Sequence, residues 1–183
     1  MNINLRPARP ADAEEMARWF VNLTDLAQWG GPDVTYPLTP DQLSAWIAEG
    51  TDAKPRTCFA AVDASDTPTG HVQFLHDAAI RWVRIGRFSI APAMRGTGFG
   101  RALFAQAVTI AFDEMAADEV ELGVHTANER AWRLYLSAGF SKEGQVTGGW
   151  VVDGQPYAMH TMRLRRAEWL AQPARGAAAA RVA

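Results

Sequence analysis

Apolar positions along the chain repeat with two periods, alternate residues in some segments and every third or fourth in others. That mixture predicts strands interleaved with helices, an α/β (α+β) chain. Residues 2–6 read as a first strand, and Pro10 suits the first turn of a helix, with Asp12, Glu14 and Glu15 near its positive end. Met16, Trp19, Phe20 and Leu23 would form the apolar face of that helix. Thr39-Pro40-Asp41-Gln42 has the form of a capping box for a second helix reaching about Ala48. Strands are expected over residues 56–63 and 70–76, joined by the turn-rich segment 64–69, and the longest strand over 79–91. A helix over 98–115 follows, then a strand over 119–126 with Val120, Leu122 and Val124 on one face. Asn128 is a fitting N-cap and Gly139 a fitting stop for a helix over 128–138. Strands over 140–147 and 156–165 read as a hairpin turning at Asp153-Gly154.

Composition narrows the class. At 183 residues and 48% hydrophobic, the chain suits one domain over 1–170, and the alanine-rich stretch 171–183 reads as a low-complexity tail. No apolar run approaches the ~20 residues of a membrane span, and Arg6, Arg9 and Asp12 interrupt any signal-like start. The single cysteine, Cys58, sits in a strand pattern, which suits a buried small hydrophobe in a reducing, cytoplasmic setting. His71, His76, His125 and His160 show no metal-ligand spacing with one another or with Cys58, so no metal is expected. A net charge of −2 argues against general nucleic-acid binding.

Charge is nonetheless distributed unevenly. From Ala78 to Phe112 there is no Asp or Glu, while Arg81, Arg84, Arg87, Arg95 and Arg101 fall inside. Within that stretch Arg95-Gly96-Thr97-Gly98-Phe99-Gly100-Arg101 leads from a strand into a helix. Free amides at a helix start favour an anion, and glycines let a phosphate approach the main chain. The segment is not a P-loop, since no Gly-Lys pair occurs, nor a dinucleotide fingerprint, since Arg101 stands where the third glycine belongs.

What it does match is Arg-x-x-Gly-x-Gly, at Arg95, Gly98 and Gly100. With Asn128, Ala131, Tyr135 and Gly139-Phe140 downstream, it resembles the GNAT superfamily of acetyl-CoA-dependent N-acetyltransferases. At ~100° per residue, positions 128, 131 and 135 share one helix face. The resemblance covers about residues 3–170 and leans toward the branch of ribosomal-protein N-terminal and small-molecule acetyltransferases. It implies a mixed, largely antiparallel sheet of six to seven strands with helices on both faces. It also implies that main-chain groups of Phe88, Ser89 and Ile90 bond the pantetheine arm of acetyl-CoA. Amides from Arg95 to Arg101 would hold the pyrophosphate, Asn128 would reach the pantetheine, and Tyr135 would lie near the sulfur.

The chemistry sets its own demands. A phenol of pKa ~10 donating to a thiolate of pKa ~8.5 is uphill by only about 2 kcal/mol, so Tyr135 can serve as general acid. Family members often carry a glutamate base on the long central strand, but residues 79–91 contain no acid. His76, Asp77 and His125 are the candidate bases; without a strong base the chain suits an α-amine, a less basic amine, or deprotonation through ordered water. Trp29, Asp33 and Tyr36, between the first two helices, could wall an acceptor site for a cationic amine, whereas Trp19 and Trp46 suit helix-face core. The expected partner is a small-molecule amine or a peptide N-terminus, with homodimerisation open. A non-catalytic acyl-CoA-binding or sensing domain is the alternative.

Overall fold

The computed structural model describes residues 3–48 and 55–172, with side chains excepted at 148–150. The elements in order are β1 (Asn4–Pro7), α1 (Ala13–Met16, flanked by short 3-10 turns), α2 (Leu23–Gly30), α3 (Pro40–Ala48), β2 (Arg56–Val62), β3 (Pro68–Asp77) and β4 (Trp82–Ile90). They continue with α4 (Phe99–Thr109, running into a π turn Ile110–Glu114), β5 (Glu119–His125), α5 (Glu129–Ser137), β6 (Ser141–Val152), β7 (Gln155–Arg165) and α6 (Arg166–Leu170). The tail expected over 171–183 falls outside the described residues from position 173 onward.

Among the described residues seven strands form one sheet, in the order β1-β2-β3-β4-β5-β7-β6. Every neighbouring pair is antiparallel except β4 and β5, which α4 connects as a parallel crossover. Residues of β3 alternate between the two faces. Val72 and Phe74 pack with Val83, Ile85, Phe104, Phe112, Leu122, Met162 and Leu164 in the larger core, on the α4 and α5 side. His71 looks the other way, with its ring 6.0 Å from Trp29 of α2. There Met16, Trp19, Phe20, Leu26, Leu38 and Leu43 build a second core. Fully burying side chains of this size stabilises the fold by about 1.5–3 kcal/mol each.

Two expectations need correction. The helix opened at Pro10 does not run through Leu23. Phe20 turns to extended geometry, and Asn22 accepts a hydrogen bond from the Asp25 amide at 2.8 Å, which starts α2 as a separate helix. The longest strand is β6, with 12 residues, whereas β4 spans 9 because Ala79 and Ile80 lie in a turn. The helix expected over 98–115 forms as α4 and the π turn that continues it to Glu114. The helix expected after Thr39, α3, behaves as its capping box predicts. Thr39 N donates to Gln42 Oε1 at 2.8 Å and Gln42 N donates to Thr39 Oγ1 at 3.3 Å. The β6–β7 hairpin turns at Asp153 and Gly154, with φ of 51° and 73°, the left-handed pair such a two-residue turn requires.

Candidate active site

The site begins with a register defect. In the β3–β4 ladder His71 pairs with Ser89 and Gln73 with Gly86, so two steps on β3 face three on β4. The extra residue is a bulge, and Arg87 carries it at φ 43°. Beyond the bulge the alternation of β4 changes phase. Val83 and Ile85 point into the larger core, yet so does Phe88, whose ring lies 5.4 Å from Phe104. Parallel pairing of β4 with β5 ends at Ile85–Leu122, just before the bulge. From there β4 stays with β3 while β5 stays with β7, and the two strands diverge. A cavity of about 590 Å³ fills the gap.

Its walls come from five parts of the chain, four of them being Phe20, Asp25, Gln28 and Trp29; residues 85–90 of β4; Leu122, Gly123 and Val124 of β5; and Asn128, Arg130, Ala131, Arg133, Leu134 and Tyr135 of α5. The remaining wall is the glycine-rich turn, through Arg95, Gly96, Gly98, Gly100 and Arg101. Gly96 and Gly98 have φ of 83° and 87°, and a Cβ at either would meet nothing within 4 Å. The main chain is therefore bare on that side, left-handed by necessity at both glycines, and Gly98 caps the 11-residue α4. Exposed amides at a helix start beside Arg95 and Arg101 make a fitting seat for a pyrophosphate. Thr97 and Phe99 do not line the cavity. Thr97 Oγ1 donates to Met94 O at 2.8 Å and accepts from Phe99 N at 3.3 Å, while the Phe99 ring is buried against Leu103 and Ile3. Both brace the turn from behind.

Tyr135 is buried, its ring 4.7 Å from Phe104 and 6.5 Å from Phe140, and its hydroxyl has no hydrogen-bond partner among the described residues. Burial pushes its pKa well above the ordinary phenol value, so it stays protonated. Asn128 caps α5, accepting from Ala131 N at 3.1 Å, which leaves its amide NH₂ to the cavity it lines.

The expected bases and most acceptor residues sit elsewhere. His76 pairs with Val83 near the start of β4, at the end of the strand opposite Ser89, and neither it nor Asp77 lines the cavity. His125 also stands outside the cavity lining. Its ring packs 4.7 Å from Tyr157 and its Nδ1 accepts from Ala127 N at 3.3 Å. Asp33 is exposed outside the cavity, and Tyr36 is exposed with its hydroxyl donating to Val21 O at 2.8 Å. Of that trio only Trp29 lines the cavity. Asp25, three residues after the cap Asn22, is the sole carboxylate on its walls among the described residues. No group of described His, Cys, Asp or Glu residues could hold a metal ion. No helix among them is long and apolar enough to cross a membrane.

Residues 2–141 match the family model for the acetyltransferase (GNAT) domain. The prophage-derived N-acetyltransferase YokL of Bacillus subtilis (strain 168) is 25% identical over 164 residues, 86% of this chain and 89% of that one. N-acetyltransferase 8F1 of Rattus norvegicus is 30% identical over 122 residues, which cover 67% of this chain and 48% of its own. Among solved structures, spermidine N-acetyltransferase from Vibrio cholerae in complex with CoA and spermine has the same fold, with a TM-score of 0.76. It is 22% identical, and the match covers 92% of this chain and 98% of that one. With the family model spanning most of its length, the split between β4 and β5 and the bare glycine turn at its mouth, this chain belongs to the GNAT family of N-acetyltransferases.

Proposed function

We propose that this protein moves an acetyl group from acetyl-CoA to the primary amine of a small cationic molecule, with Tyr135 as general acid. One observation carries the reading: a single cavity joins the glycine turn, the open edge of β4, Tyr135 and an aromatic wall holding one carboxylate. In this reading residues 1–170 are one catalytic domain, and 171–183 take no part in the site.

The parts divide the work. Amides of Gly96, Gly98 and Gly100 in the Arg95–Arg101 turn and the Arg95 and Arg101 side chains hold the pyrophosphate, and the edge of β4 near Phe88 and Ile90, beyond the end of its pairing with β5, binds the pantetheine as an added strand would. Bound acyl-CoA supplies a thioester, a carbonyl open to attack with a thiolate leaving group. Asn128 fixes the arm through its amide NH₂. As the amine nitrogen bonds to the carbonyl carbon and the carbon–sulfur bond breaks, Tyr135 gives its proton to the sulfur, and the proton shed by the acylated nitrogen returns to Tyr135. Phe20 and Trp29 offer ring faces to the cation, and Asp25 offers the countercharge. Because a neighbour of the same fold is solved with CoA and spermine, a polyamine is the first acceptor to try.

The experiment is a thiol-release assay over polyamines, simple primary amines and peptides with free N-termini. Turnover of polyamines, with KM raised severalfold in Asp25→Asn, is the expected result. Turnover confined to peptides would overturn the small-molecule reading. CoA binding without amine-dependent thiol release from any acceptor would favour the sensing alternative.

A further inference from the structure

Behind the acceptor wall three buried polar atoms have no hydrogen-bond partner among the described residues: Trp29 Nε1, His71 Nε2 and Ser89 Oγ. They are neighbours. His71 and Ser89 are register partners across β3 and β4, and the His71 ring meets the Trp29 ring at 6.0 Å and 65°. Trp29 and Ser89 both line the cavity, while His71 is 2% exposed just behind them. A buried polar atom left unpaired costs about 1–3 kcal/mol, so three together make a site for a molecule that satisfies them.

Their chemistry specifies that molecule. His71 Nδ1 faces the Arg87 carbonyl at 2.8 Å and must donate to it, which fixes the tautomer and leaves Nε2 a pure acceptor. Trp29 Nε1 is a pure donor, and the Ser89 hydroxyl can do either. A water molecule answers all three, donating to Nε2 and to Oγ and accepting from Nε1–H. One lone pair then remains.

We propose that Trp29, His71 and Ser89 hold a water whose remaining lone pair takes the proton of the acceptor ammonium, with His71 as the positioning residue of this relay. The proposal rests on the amine-acetylation reading above. The amine N–H passes its proton to the water, the water passes one to Ser89 Oγ, and the Ser89 hydroxyl, turning toward the cavity its residue lines, passes its own to solvent there. Water and serine end unchanged, and the ammonium becomes a neutral nucleophile. His71 does not keep the proton, since burial holds its pKa down at about 4. The acid-free central strand thereby acquires a route for deprotonation that needs no carboxylate.

The test compares two acceptors in the thiol-release assay: a primary alkylamine that the wild type uses, and its analogue fluorinated beside the amine-bearing carbon, which is neutral at pH 7. The variants are His71→Asn, whose amide can keep the bond to the Arg87 carbonyl while Nε2 is lost, and Ser89→Ala. Both are expected to lose at least tenfold in kcat with the alkylamine and less than twofold with the fluorinated amine, with CoA affinity unchanged. Equal losses with the two amines, or no loss with the alkylamine, would overturn the relay. If the wild type releases no thiol with any amine, the proposed function itself fails instead.

Discussion

Replacing Tyr135 by phenylalanine separates catalysis from packing more cleanly than any other change in this cavity. The ring holds its contacts with Phe104 and Phe140, at 4.7 and 6.5 Å, in either residue. The hydroxyl has no hydrogen-bond partner among the described residues, so its removal strands no donor or acceptor. Stability should therefore change by less than about 1 kcal/mol, and in the stabilising direction if at all. Catalysis should respond differently. Positioned general acids contribute 10²–10⁴-fold, so a loss of roughly a hundredfold in kcat is expected, about 2.7 kcal/mol of barrier. CoA affinity should stay within about twofold, since the sulfur contact is a small part of a long cofactor interface. The assay pairs thiol-release kinetics with thermal melting, with and without CoA. Turnover within threefold of wild type would remove Tyr135 from its role. A large fall in melting temperature would mean that the hydroxyl had been structural.

Three further outcomes follow from the same geometry. Gly98→Ala places a Cβ at φ 87° and into the bare side of the turn. It should cost about 1 kcal/mol in strain and weaken CoA at least tenfold, read as a smaller CoA-induced rise in melting temperature. The pKa of His71 is lowered by burial from 6.5 to about 4, so its contribution to stability is fully present above pH 6.5. That contribution is lost as pH falls toward the folded value, by about 3 kcal/mol in all, and His71→Asn should flatten the slope of stability against pH in that window. Asp12 is 5% exposed and accepts both Arg6 Nη atoms at 2.8 Å and the Arg9 amide at 2.7 Å. Asp12→Ala should therefore destabilise by about 2–3 kcal/mol, with Arg6 still held by Asp66, and a chemical-denaturation midpoint close to wild type would refute this.

Local chemistry was the legible part. The capping box at Thr39, the Asp153-Gly154 turn and the Asn128 cap each depend on neighbours three residues away or closer, and each forms as the chain order implies. The glycine turn is readable for the same reason, because left-handed φ and bare amides are properties of the residues themselves. Failures came where distant groups compete. Nothing in Met16, Trp19, Phe20 and Leu23 announces that Phe20 should leave the helix to meet Trp29, with ring centroids 4.8 Å apart. Asn22 followed by Asp25 was the available signal of a new cap, and it also marked the cavity's carboxylate. His76 and His125 attract attention as polar residues at strand ends, yet His76 lies at the far end of the ladder from Ser89 and the His125 ring packs on Tyr157, so neither lines the cavity.

By itself the sequence determines the donor side of this protein: the arginine-and-glycine turn, the capped helix bearing Tyr135, and an acid-free central strand. Those are short-range facts, written in residue type and spacing. Tertiary structure decides the acceptor side, because a one-residue bulge at Arg87 reverses the phase of β4 and ends its pairing with β5. That single register shift opens the cavity and brings Ser89, His71 and Trp29 together from three separate elements. Register is set by pairing between strands distant in the chain, so no local pattern could have announced it.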